Sequence, residues 1–121
     1  MLIKILIVED DQQLGLLIEM VFSEYPEIQL YLAKNEFEAM NLMDTVTMDA
    51  VITDMQLNSH QGGISVLQMA VDYDLPVAVM TADVSIPDQE YLDIGAAWII
   101  RKPFDTTTLP QIAKRLASLN D

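Results

Sequence analysis

Short apolar runs recur along the chain, and the segments between them carry apolar residues at helical spacing. The runs are Lys4 to Val8, Ile28 to Leu32, Ala50 to Thr53, Val77 to Met80 and Trp98 to Ile100. They are short and almost continuously hydrophobic, as strands covered on both faces of a parallel sheet are. After the first run, Leu14, Leu17, Ile18, Val21 and Phe22 share one face of a predicted helix, and Pro26 lies beyond its end. Asn35, followed three residues later by Glu38, resembles a capping box and opens a second helix carrying Phe37, Met40 and Met43. A third helix is expected from about Ile64 to Val71. A fourth is expected near Pro87 to Ile94, where Pro87 suits only a first turn. In the last helix Leu109, Ile112, Leu116 and Leu119 fall on one side. Pro110 requires that helix to begin just before it, with one of Thr106 to Thr108 as N-cap.

Strands and helices in strict alternation predict an α/β fold, a doubly wound parallel sheet of five strands flanked by five helices. The length of 121 residues matches one domain, residues 1-121, with no room for a second. Half of the residues, 51%, are hydrophobic and Gly plus Pro are few, so the chain can bury a core and is not a disordered segment. Eight methionines, among them Met40, Met43, Met55, Met69 and Met80, sit at helix and strand spacings and read as core filling.

Charge and cysteine usage narrow the function. Nineteen acidic residues against six basic ones give a net charge of −13, which repels a nucleic-acid backbone or an anionic membrane. The absence of cysteine removes disulfides, thiol nucleophiles and Cys-based metal sites, and one histidine, His60, cannot build a His-rich site. The amino end runs from Leu2 to Val8 straight into Glu9-Asp10-Asp11 without the length of a membrane segment or a cleavage signal. A cytoplasmic location is expected.

In doubly wound sheets ligands gather beyond the carboxyl ends of the strands, and those ends carry the chemistry here. The first strand ends in Glu9-Asp10-Asp11, the third in Asp54, the fourth in Thr81 and the fifth in Lys102-Pro103. Each has an ordinary reading alone. Asp11 is a natural N-cap for the first helix, Asp54 and Thr81 are unremarked strand-end residues, and Lys102 is a solvated surface charge. Together they converge. Several carboxylates in one crevice raise each other's pKa unless a hard divalent cation, magnesium or manganese, binds them through oxygen. With a lysine and a hydroxyl in the same pocket, the set supplies what phosphoryl transfer to a carboxylate needs, and Asp54 is the candidate nucleophile.

These stretches resemble one family along essentially the whole chain: the receiver domains of bacterial two-component response regulators. Ile5 to Asp11 is similar to that family's acidic first-strand signature, Asp49 to Asp54 to its phosphoacceptor strand, Val79-Met80-Thr81-Ala82 to its threonine strand, and Arg101-Lys102-Pro103-Phe104 to its lysine motif. The resemblance implies a flavodoxin-like sheet of order 2-1-3-4-5. It implies that Asp54 accepts a phosphoryl group from a phosphohistidine on a sensor histidine kinase or a histidine phosphotransfer protein. Asp10, Asp54 and the carbonyl of Gln56 would hold Mg²⁺, with Glu9 acting through a bound water. Lys102 and Thr81 would each contact a phosphoryl oxygen, and the Lys102-Pro103 bond would be cis. Such a domain is a phosphoacceptor rather than an enzyme acting on external substrates, and its output is a changed face of fourth helix, fifth strand and fifth helix, offered to a protein target.

The sequence departs from that pattern in places. The family usually carries an aromatic three residues before its lysine, whereas Ile99 stands there and the aromatic is Trp98, which is either core filling or an exposed anchor. Asn58 replaces a common proline, and Ser59-His60-Gln61 precede Gly62-Gly63, a composition expected to loosen the loop and leave His60 solvated. Gln56 and Asp83 occupy positions that tune acyl-phosphate lifetime in similar proteins. No effector domain is expected after the last helix, in keeping either with a stand-alone regulator or with a module from a longer chain. Two other readings remain open: an aspartate-nucleophile phosphohydrolase, although Gln56 stands where its second acid is needed, and a docking adaptor of receiver fold that is not phosphorylated. A nucleotide- or flavin-binding domain lacks its glycine-rich loop.

Overall fold

The computed structural model describes residues 2–57 and 62–120. The elements run β1 Ile3–Val8, α1 Gln12–Phe22, β2 Ile28–Ala33, α2 Glu36–Thr45, β3 Ala50–Asp54, α3 Gly62–Asp72, β4 Val77–Thr81, α4 Asp88–Ile94, β5 Trp98–Arg101, a 3₁₀ turn at Thr106–Thr108, and α5 Leu109–Ser118. All strand pairs are parallel and the sheet order is β2-β1-β3-β4-β5. This is the flavodoxin-like doubly wound sheet expected from the sequence.

Alternation along each strand divides the core in two. Ile5 and Ile7 of β1, with Ile52, Ala78 and Met80, meet Ile18 and Phe22 of α1 and Leu109, Ala113 and Leu116 of α5. Leu6 and Val8, with Val51, Val77 and Val79, meet Ala39 and Met43 of α2, Val66, Leu67 and Ala70 of α3, and Tyr91 of α4. Trp98 is half-buried against the α1 and α5 layer, so it fills the edge of the core. Met43, Met55 and Met80 are buried and Met40 and Met69 half-buried, as core filling requires.

Three residues assigned to core faces are exposed. Phe37 is 74% exposed because it stands two residues before Ala39, about 200° away around α2. Leu17 is turned out because Ile18 and Gly15 take the buried line of α1. Leu119 lies beyond the end of α5 at Ser118. The caps also differ in detail. Asn35 accepts from Glu38 N–H at 2.9 Å, but the Glu38 carboxylate reaches back to Lys34 N–H rather than to the cap residue. At α5 no threonine side chain caps the helix; Asp105 instead accepts from Thr107 N–H at 2.9 Å and nucleates the 3₁₀ turn that leads into it. The expectations for Asn58 to Gln61, His60 among them, lie outside the described residues.

Candidate functional site

Strand register brings the chemistry together. Val8 pairs with Thr53, Asp54 with Met80, and Thr81 with Arg101. Each functional residue is therefore the last of its strand or one step beyond it, so Glu9, Asp54, Thr81 and Lys102 form a row across the carboxyl edge of the sheet. Because β1 lies between β2 and β3, the connections that leave β1 and β3 run in opposite directions across the sheet. The crevice left there is where this architecture receives ligands.

Glu9, Asp10 and Asp54 each offer a carboxylate oxygen within 4.8 Å of the others. Glu9 is 3% exposed and Asp54 2% exposed. Asp11 is not in this group. Its Oδ1 accepts from Gln13 N–H at 2.9 Å and Leu14 N–H at 3.2 Å, so it is the N-cap of α1. Asp54 Oδ1 accepts from Gln56 N–H at 2.9 Å, and Asp54 Oδ2 accepts from Lys102 Nζ at 2.9 Å. The Lys102–Pro103 peptide is cis, and Lys102 N–H donates to Thr81 O at 2.8 Å, which ties the lysine segment to β4.

Glu9 shows the electrostatic strain of the cluster. Burial, then a hydrogen bond and charge repulsion from Asp54, push its pKa from 4.5 up to about 8, against smaller opposing effects of the Asp11 backbone and Lys102. Its Oε1 is buried without a hydrogen-bond partner, 3.6 Å from Lys102 Nζ. Burial alone would lower the Lys102 pKa, but the hydrogen bond and charge of Asp54 and then Glu9 outweigh it and raise the value. An orphaned carboxylate oxygen among three converging acids fits a hard divalent cation, which takes oxygen ligands and favours the ionised form.

Two contacts were not foreseen from the sequence. Thr81 is fully buried, and its hydroxyl meets Gln56 Nε2 at 3.1 Å and the Tyr91 phenol at 3.2 Å. Arg101 donates to the carbonyls of Asp83 at 2.8 Å and Ile86 at 2.9 Å and bonds Asp88 through Nε at 3.0 Å, so it clamps the connection from β4 to α4. A lone tyrosine in the short helix that follows the threonine strand is the sequence signal for the first contact. Arg101, beside the lysine motif, is the signal for the second.

A model of the response regulator receiver domain matches residues 5–114. The chain belongs to this family. The autoinducer 2 sensor kinase/phosphatase LuxQ of Vibrio harveyi is 27% identical over 111 residues, covering 88% of this chain and 13% of LuxQ. The receiver domain thus spans only a small fraction of the length of that curated relative. A CheY-like receiver domain protein from Methanospirillum hungatei superposes with a TM-score of 0.85 at 20% identity, over 98% of this chain and 96% of that one. The receiver domain of a Pseudomonas aeruginosa sensor histidine kinase, solved with a magnesium ion coordinated in its active-site cleft, superposes with a TM-score of 0.81 at 23% identity, over 98% and 99%. At such identities these structures establish the fold. Among the described residues no helix is long and apolar enough to cross a membrane.

Proposed function

We propose that this receiver domain accepts a phosphoryl group on Asp54 from a phosphohistidine of a sensor histidine kinase or histidine phosphotransfer protein in the cytoplasm, with Mg²⁺ bound beside it. The observation that carries this reading is the setting of Asp54: a nearly inaccessible carboxylate, flanked by two further acids and held 2.9 Å from a lysine ammonium. A structural aspartate gains nothing from two more carboxylates, whereas an acceptor that must bind a metal needs them.

Asp10, Asp54 and the Gln56 carbonyl would ligate the cation, with Glu9 reached through a water. When bound, Mg²⁺ (or Mn²⁺) neutralises the carboxylates and the negative oxygens of the incoming group. The Gln56 N–H and Lys102 each hold one of the two Asp54 oxygens, which fixes the carboxylate for in-line attack on phosphorus. The P–O bond to Asp54 forms as the P–N bond to the donor imidazole breaks. The imidazole nitrogen keeps the electron pair and takes up a proton. Lys102 is then placed to hold a phosphoryl oxygen and Thr81 to supply a hydroxyl to another. The added charge, about −1.5 to −2 for the common phosphoresidues, draws Thr81 inward and changes the α4-β5-α5 face for a protein target. Moving that equilibrium from 1:99 to 99:1 takes about 5.5 kcal/mol of preference.

The phosphohydrolase reading is disfavoured by Gln56. Its amide is committed to Thr81 and Ala82, and it cannot act as the general acid. Acetyl phosphate with Mg²⁺ tests the proposal. One phosphoryl mass added to the wild-type chain and none to Asp54→Asn is the expected result, and no gain on wild type, or equal gain on both, rejects it.

A further inference from the structure

Thr81 has one proton, and three neighbours compete for its oxygen. The Gln56 amide is fixed end to end: its Oε1 accepts from Ala82 N–H at 3.1 Å, and a backbone N–H can face only the oxygen of an amide. Nε2 is therefore the atom that donates to Thr81 Oγ1 at 3.1 Å. Asp83 N–H donates to the same oxygen at 3.1 Å. A hydroxyl has two lone pairs and one proton, so with both lone pairs taken the remaining contact runs outward: Thr81 O–H donates to the Tyr91 phenol oxygen, 3.2 Å away.

We infer that Tyr91 is a positioning residue that keeps the Thr81 proton turned away from Asp54 and carries its withdrawal to helix α4. The inference rests on the phosphoacceptor reading above and names the regulation of that site. Phosphoryl oxygens accept and cannot donate, so Thr81 can serve one only by taking its single proton from Tyr91. Tyr91 is 2% exposed, so bulk water has little access to the phenol. The phenol then loses the hydrogen bond it accepted, and its own O–H is left to turn either to a Thr81 lone pair that Gln56 gives up or to another acceptor reached by moving α4. Either change alters the β4–α4 connection, because Arg101 binds the Asp83 and Ile86 carbonyls and Asp88 at the start of α4. Ile99, three residues before Lys102, has no polar atom with which to take the phenol's place.

Beryllofluoride with Mg²⁺, a stand-in for the phosphoryl group, tests this when titrated against wild type, Tyr91→Phe, Thr81→Ala and the double variant. Phenylalanine keeps the ring and removes the competing acceptor. Tyr91→Phe is expected to bind about 2- to 10-fold tighter, the range of one neutral hydrogen bond, and to change nothing when Thr81 is alanine. In wild type the Tyr91 ring ¹³Cζ resonance is expected to shift on adduct formation. Unchanged or weaker binding by folded Tyr91→Phe, or the same gain without Thr81, overturns the role of Tyr91 while leaving Asp54 the acceptor. If Tyr91→Phe does not fold, an unshifted wild-type Tyr91 resonance overturns it instead. No adduct and no acetyl phosphate label on wild-type Asp54 overturns the acceptor reading and this inference together.

Discussion

Lys102 Nζ lies 2.9 Å from Asp54 Oδ2, and the lysine side chain is 23% exposed where the aspartate is 2% exposed. The ammonium thus reaches from the rim into a pocket the carboxylate cannot leave. Glu9 Oε1 stands 3.6 Å from the same ammonium, so one cation serves two buried acids.

Lys102→Met should therefore destabilise the metal-free domain. Removing one partner of a fully buried pair costs about 3–5 kcal/mol, and partial exposure of the lysine reduces that to roughly 1–3 kcal/mol. Urea denaturation in chelator measures the loss. Saturating Mg²⁺ should recover much of it, since a divalent cation takes over the compensation.

Glu9 sets a pH dependence. Its pKa is about 8 in the folded chain against 4.5 ordinarily, so between those values the folded state holds a proton that the unfolded state has released. Stability then falls as pH rises through that window and levels off on either side. Glu9→Gln should flatten the curve. Mg²⁺ should flatten it too, because the cation stabilises the ionised form. A denaturation series in chelator from pH 4.5 to 8.5 in which wild type and Glu9→Gln run parallel would contradict this.

Asp10 and Asp11 are neighbours with separable roles. Mg²⁺ should raise the melting temperature of wild type by preferential binding to the folded state, and Asp10→Ala should abolish that rise. Asp11→Ala should instead cost about 1 kcal/mol through the lost cap of α1 and keep the Mg²⁺-induced rise. Calorimetric scans with and without the ion distinguish them. Equal rises in wild type and Asp10→Ala would place the ion elsewhere.

Gly63 controls how closely α3 approaches the acceptor. A Cβ there would lie 2.5 Å from Met55 Cα and 2.7 Å from the Asp54 carbonyl oxygen. Both are backbone atoms that cannot rotate away. Alanine normally stabilises a helical position by about 0.5–1 kcal/mol over glycine, but here overpacking dominates and Gly63→Ala should cost about 1–3 kcal/mol. Acetyl phosphate labelling of Asp54 should slow as well, since the end of β3 must shift to admit the methyl.

Much of this architecture is legible in the residues. The five apolar runs coincide with the strands to within a residue or two, because burial of most strand positions leaves few polar residues, Lys4, Gln29 and Thr53, to blur their limits. The acidic residues, Thr81 and Lys102 were identifiable because every one follows an apolar run, where a parallel sheet puts its ligand edge. Faces of the short helices were less legible. In α2 both Phe37 and Met43 are apolar, and only the sheet below decides that Ala39 and Met43 point inward. The distinction between Asp10 and Asp11 likewise depends on where the turn into α1 points each carboxylate.

Alternation of apolar strands with amphipathic segments was enough to determine a doubly wound sheet and a carboxylate-rich edge, because hydrophobic period and strand-end position are local properties of the chain. Only the tertiary structure decided which hydrogen bonds those edge residues make. Thr81, Gln56 and Tyr91 lie on three separate segments, and the direction of the Thr81 proton follows from how many donors the folded chain crowds around one oxygen. That count depends on register and packing, which bring distant residues within 3 to 4 Å of each other and which no stretch of sequence contains by itself.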